Sequence, residues 1–207
     1  MKYQLKSWLV LGVVVTIAVL SVLTVVKLAN KELAENKAFL TDLYQIEHSI
    51  KEANAAIREA ALAPTDFLIE EELKRLNVTT ASTKSILARL STDTRLSSAD
   101  KLALDVITTE RIEYKLVQAH VLEAIRAHDK HHIWDSLLVY RKYQVKYSKR
   151  IDDLILIHEN HVGEVKDILL FRLLIIVVLL SGLQVLDKFY SFYRWKLKNR
   201  LFITGKE

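Results

Sequence analysis

Two short stretches of the chain concentrate histidine and carboxylate. In "AHDKHH", His128, Asp129, His131 and His132 fall within five residues. Imidazole and carboxylate oxygen suit zinc, copper or nickel. The same residues also make an ordinary polar turn, with Asp129 capping a following helix and the histidines in water. In "HENH", His158 and His161 lie on an apolar seam. Histidines facing carboxylates there could sense pH or bind a divalent ion, or could mark a wet, loosely packed end of a helix bundle. Counting residues along the helices sets them level with Glu35 and Glu32. Other chemistry has no residues to carry it. There is no cysteine, hence no thiol nucleophile and no haem-attachment motif. The paired Glu-x-x-His motifs of di-iron bundles are missing. Gly-rich phosphate loops, a nucleophile elbow and a metalloprotease motif are missing too. The reading is therefore not an enzyme, and no cofactor is expected.

The elements that hold these residues start from two apolar runs. Residues 8–26, "WLVLGVVVTIAVLSVLTVV", are long enough as a helix to cross a bilayer. Lys27 stands where a signal-peptide cleavage site would need a small residue, which favours an uncleaved anchor. Residues 168–186 form the second span. Its Arg172 lies about one turn from the outer end and can snorkel to headgroups, or can meet a buried carboxylate. Residues 27–167 hold 21 Lys and Arg against 23 Asp and Glu, whereas the rest of the chain holds 9 against 2. The net charge of +5 thus sits beside the spans, and it reads as orientation rather than nucleic-acid binding. Residues 1–7 and 187–207 are expected in the cytoplasm of a bacterium. Residues 27–167 are expected in the periplasm, and the spans in the inner membrane. Phe189, Tyr190, Tyr193 and Trp195, with Arg172, are the expected membrane anchors. Arg194, Lys196, Lys198 and Arg200 are the expected contacts to anionic lipid or to a docked protein.

Between the spans the pattern is helical. Phe39, Leu43, Ile46, Ile50, Ala53, Ile57 and Ala60 recur at alternating steps of four and three, a heptad seam continuous with the first span. Pro64 ends it, and Thr65 or Asp66 can cap a second helix running to about Ser91. Thr80 and Thr83 interrupt the seam of that helix. Ser97 or Ser98 caps a third helix over roughly 99–127. A fourth begins near His131, carries Tyr140, Gln144, Tyr147, His158 and His161 on its seam, and continues into the second span. The expected fold is all-α: two transmembrane helices flanking an extracytoplasmic up-down antiparallel four-helix bundle.

This layout, with texture such as "SIKEANAAIREAALAPTD" closing helix one, resembles the four-helix-bundle sensor domains of methyl-accepting chemotaxis receptors. The resemblance covers roughly residues 7–187. It implies a small anionic ligand held near a dimer interface by cationic residues of helix one, here Arg58 and Lys51 with Asn54. It also implies a homodimer, which the alanines Ala53, Ala55, Ala56, Ala60 and Ala61 would let approach closely. The chain departs from that family after residue 186, where the 21 residues present contain neither a HAMP linker nor a kinase-binding coiled coil. The expectation is an input module that passes ligand or partner state through span two to a separate output protein. The rival expectation is a structural or regulatory subunit of a larger motor, secretion or transport complex.

Overall fold

The computed structural model describes the backbone of residues 2–204 and the side chains of residues 12, 13 and 15–196. It is all-α. Helix α1 spans Lys2–Leu62, α2 Asp66–Ser91, α3 Ser98–Arg126 and α4 Lys130–Thr204. Among the described residues there is no strand.

Each boundary has a local cause. Pro64 lacks an N–H and restricts the residue before it, so α1 stops at Leu62. The Thr65 hydroxyl then accepts the Leu68 N–H, capping α2. Ser97 and Asp100 form a reciprocal capping box at the start of α3. At its end the Asp129 N–H donates to the Ala124 carbonyl and the His128 N–H to that of Ile125. This Schellman pattern requires a left-handed residue, and His128 supplies it at φ 53°. Asp129 starts α4 by accepting the backbone N–H groups of His131 and His132, both at 3.1 Å. Backbone bonding from His132 is the first cause that holds its carboxyl below the usual range.

The chain divides into two units. Residues 34–162 contain α2, α3 and the adjoining parts of α1 and α4, packed around one core. The α1 seam from Phe39 to Ala60 is buried throughout. Facing it are Ile69, Leu73, Leu76, Leu87 and Leu90 of α2, Leu104, Ile107, Val121 and Ile125 of α3, and Tyr147, Ile151 and Leu154 of α4. Cross-helix pairs fix neighbours and senses. Arg75 meets Glu59 and Arg89 meets Asp42, so α2 runs back along α1. Lys146 meets Glu113 and His158 meets Asp100, so α4 runs back along α3. Most of these ion pairs are exposed and contribute little stability; they report register.

The other unit is Met1–Leu33 with Gly163–Glu207, and its described residues include long runs of exposed apolar side chains. Ile17, Leu20, Leu23, Leu170, Phe171, Leu174, Val178 and Leu179 are all exposed. Within Lys130–Lys196, α4 has a window long and apolar enough to cross a membrane, with none of it buried. The hydroxyls in these runs turn back on their own helix. Thr16 donates to the Gly12 carbonyl, Ser21 to Ile17, Thr24 to Leu20 and Ser181 to Val177. Such bonding leaves no hydroxyl hydrogen facing an apolar surrounding. The first expected span begins at Trp8, and the side chains of residues 8–11 lie outside the described residues.

Candidate functional site

Side chains on α1 and α4 form an open groove of about 440 Å³ within the four-helix unit. Its lining is Arg58 from α1 and Trp134, Leu137, Leu138, Tyr140, Arg141, Gln144 and Val145 from α4. The α4 residues fall three, four or seven apart, so one helix face supplies them. Trp134 is 60% exposed and Leu138 64% exposed, an apolar floor that water covers at a cost. Two guanidinium groups border it and no carboxylate lines it. Neither Arg58 nor Arg141 belongs to an ion pair among the described residues. A guanidinium pair beside an aromatic floor suits a small organic anion, with bidentate bonds to carboxylate and stacking on indole.

Only one of the three helix-one candidates belongs to this groove. Lys51 is exposed and pairs with Glu47 one turn away. Asn54 does not line the groove: it lies in the core, 2% exposed. Its Oδ1 accepts the Tyr140 hydroxyl at 2.5 Å and the Tyr114 hydroxyl at 3.2 Å. Asn54 is thus a core residue, because the heptad step after Ile50 and Ala53 turns it inward. The alanines divide similarly. Ala53, Ala56 and Ala60 are buried in the core, so they are not available to a second copy, whereas Ala55 and Ala61 are half-buried.

Around Asn54 lies a polar layer. Tyr114 and Tyr140 share a hydroxyl–hydroxyl bond, and Tyr114 stacks on Tyr147 with centroids 5.3 Å apart. Burial pushes the Tyr114 phenol up to about 12. Burial, followed by the neighbouring Tyr114, pushes Tyr140 far above its ordinary value. Both remain neutral donors at any physiological pH. Thr79 and Thr83 of α2 are buried in the same region, their hydroxyls donating to the Leu76 and Thr79 carbonyls. Of the expected interruption at Thr80 and Thr83, Thr83 is buried and Thr80 is half-buried; Thr79 joins Thr83 as the α2 share of this layer.

The histidines do not converge. His128 pairs with Asp66 at 2.9 Å, His131 with Asp135 at 3.2 Å and His132 with Asp129 at 3.0 Å, all exposed. Among the described residues no group of three or more His, Cys, Asp or Glu could hold a metal ion. His158 is buried, edge-on to Phe39 with centroids 4.5 Å apart. Its Nε2 donates to Asp100 Oδ1 at 2.9 Å, and its Nδ1 lies 3.1 Å from Asn36 Oδ1. It therefore meets a carboxylate on α3 and an amide on α1, the amide next in sequence to Glu35. Asp100 also accepts the Ser97 N–H and hydroxyl. Burial alone would raise its pKa, but the Ser97 and His158 bonds outweigh burial and hold the carboxyl below its usual value. His161 is half-buried.

In the second unit Arg172, Phe189, Tyr190, Tyr193, Arg194, Trp195 and Lys196 are all exposed. Phe192 stacks on Trp195 with centroids 6.1 Å apart. The side chains of Lys198 and Arg200 lie outside the described residues. Comparison of the chain with protein-family models, with curated proteins and with solved structures gives no match.

Proposed function

We propose that the protein is a membrane-anchored input module. Its four helices form an up-down antiparallel bundle held outside a bacterial inner membrane by two flanking spans. The bundle senses a small organic anion or a partner and passes that state through α4 to a separate output protein. The observation that carries this reading is the groove with Arg58 and Arg141 over Trp134: two uncompensated cations beside exposed aromatic surface. A carboxylate seated there would bridge α1 and α4, and a ligand shifts an equilibrium only through such differential contacts. The route outward is the unbroken helix from Lys130 to Thr204, whose shift by an Å or two would reposition Tyr193 and Trp195. Exposed aromatics and cations in that segment suit capture of a partner or of anionic lipid. Exposed Trp134, Leu138 and Val145 also suit the homodimer that the layout resembles.

The test is pull-down of partners from membranes with a tagged full-length chain. Insertion of four glycines after Gly163 should leave the protein folded and inserted but abolish any dependence of partner capture on the groove. Removal of residues 194–207 should abolish capture itself. Capture that depends on residues 194–207 yet ignores both the glycine insertion and Arg58→Ala would instead identify a structural subunit.

A further inference from the structure

The outward face of α4 continues past the groove. Trp134, Leu138, Arg141 and Val145 line the groove, and Leu138, Lys142, Val145 and Lys149 follow one another at the same steps of four and three. Both rows lie on one side of the helix. Trp134 is 60%, Leu138 64% and Val145 55% exposed. From Trp134 to Lys149 the stripe extends for about four turns, roughly 22 Å, which is far longer than a small carboxylate. Asp152 is the next residue of the same stripe and reverses its charge, which sets the lower limit.

The cations of α4 divide by side. Toward α3, Lys146 and Arg150 meet Glu110, and Lys146 also meets Glu113. Toward α1, Arg141 lies across the groove from another cation, Arg58. Lys142 and Lys149 are exposed, and among the described residues neither forms an ion pair. Four cations thus border an apolar stripe, and no described carboxylate pairs with any of them. An anionic surface laid along this stripe would meet a complementary charge at each turn.

We propose that this face docks an acidic amphipathic helix of a partner protein, about 15 residues long. Its apolar side covers Trp134, Leu138 and Val145, and its Asp and Glu residues meet Arg58, Arg141, Lys142 and Lys149. An open groove running along a helix, with anchors at steps of three and four, is the form in which a helix is received. The apolar residues alone would suit a second copy as well. The cations decide against it, because a two-fold pair on this face sets like charge against like. The inference rests on the groove as the input site and names the class of partner that it takes.

The experiment is a selection on the full-length protein in nanodiscs of zwitterionic lipid. The probe is a displayed library of helices of about five turns, with Leu fixed at the a and d positions and Glu or Lys at e and g. Selection at low salt should enrich Glu over Lys by about tenfold, and the enrichment should shrink at about 0.5 M sodium chloride. Reversing both Lys142→Glu and Lys149→Glu, which are exposed and outside the groove lining, should turn the preference to Lys. Lys74→Glu, on the exposed side of α2, should leave it unchanged. The same preparations are titrated with benzoate by Trp fluorescence. Enrichment of neither charge, with benzoate still bound, overturns this inference and leaves the groove as a small-anion site. Loss of both removes the groove as well. Glu enrichment that survives the double reversal places the binding elsewhere on the chain and also overturns the inference. A dimer in sedimentation that Leu138→Glu converts to a monomer, without enrichment of either charge, would assign the face to a second copy instead.

Discussion

Truncating Asn54 to alanine tests the polar layer, because the result depends on hydrogen-bond arithmetic rather than on apolar volume. Asn54 Oδ1 and the Tyr140 and Tyr114 hydroxyls lie within bonding distance of one another, a triangle that holds two hydroxyl hydrogens. In Asn54→Ala the two phenols can still bond each other, but one of the two hydrogens then has no acceptor in a buried site. Such an orphan costs about 1–3 kcal/mol, and the space left by the amide adds roughly 1 kcal/mol. Part of this is returned, because Asn54 Nδ2 is itself buried without a partner. The net expectation is a loss of about 2 kcal/mol, or a Tm lower by about 4–8 °C for a chain of this size. Tyr140→Phe removes a donor and leaves Asn54 its bond from Tyr114, so it should cost about 1 kcal/mol or less. Thermal unfolding of the full-length variants in detergent, followed at 222 nm, ranks them. A Tyr140→Phe loss equal to or larger than that of Asn54→Ala refutes the proposed donor count.

Other expectations follow from single groups. Asp100 has a folded pKa below its unfolded value of about 3.9. Its contribution is therefore complete above that unfolded value and is lost as pH falls through the folded one. Asp100→Asn should lower stability at pH 7 and flatten the acid limb of the stability profile below about pH 4; an unchanged acid limb contradicts the His158–Asp100 assignment. His128→Gly should raise stability by about 1 kcal/mol, because glycine adopts the left-handed conformation without the Cβ clash; a loss would mean that the Asp66 contact matters more than the backbone. Arg58→Ala and Arg141→Ala should each weaken binding of a small carboxylate probe such as benzoate by about tenfold, measured by Trp fluorescence quenching. Quenching in both variants equal to that of the wild type removes the groove as a binding site.

Much of this arrangement can be read from residue order. The α1 seam, the stop at Pro64, and the caps at Thr65, Ser97 and Asp129 are local signals, and each acts within a turn or two of its own residue. What could not be read that way is pairing between helices. Tyr140 and Tyr147 are recognisable as seam positions of α4, but their meeting with Asn54 and Tyr114 depends on axial register, which no local pattern encodes. Residue counting sets His158 level with the Glu35 region of α1, where it meets Asn36 and Phe39; its bond to Asp100 of α3 likewise depends on register between α3 and α4. Arg141 is one more cation on a charged helix and carries no signal in the sequence; only the groove sets it opposite Arg58. Asn54 and Arg58 are one turn apart on α1, yet Asn54 is buried and Arg58 exposed, because Asn54 sits beside the seam residues Ile50, Ala53 and Ile57 and Arg58 lies at the seam's outer edge.

The topology of the chain is the claim on which the rest depends, and the absence of cysteine makes it directly measurable. Thr94→Cys and Lys198→Cys, each made singly, are exposed in intact cells to a membrane-impermeant maleimide and then again after permeabilisation. The account predicts labelling of Thr94→Cys in intact cells and of Lys198→Cys only after permeabilisation. Labelling of both positions from the same side would contradict the two-span hairpin and, with it, the input module.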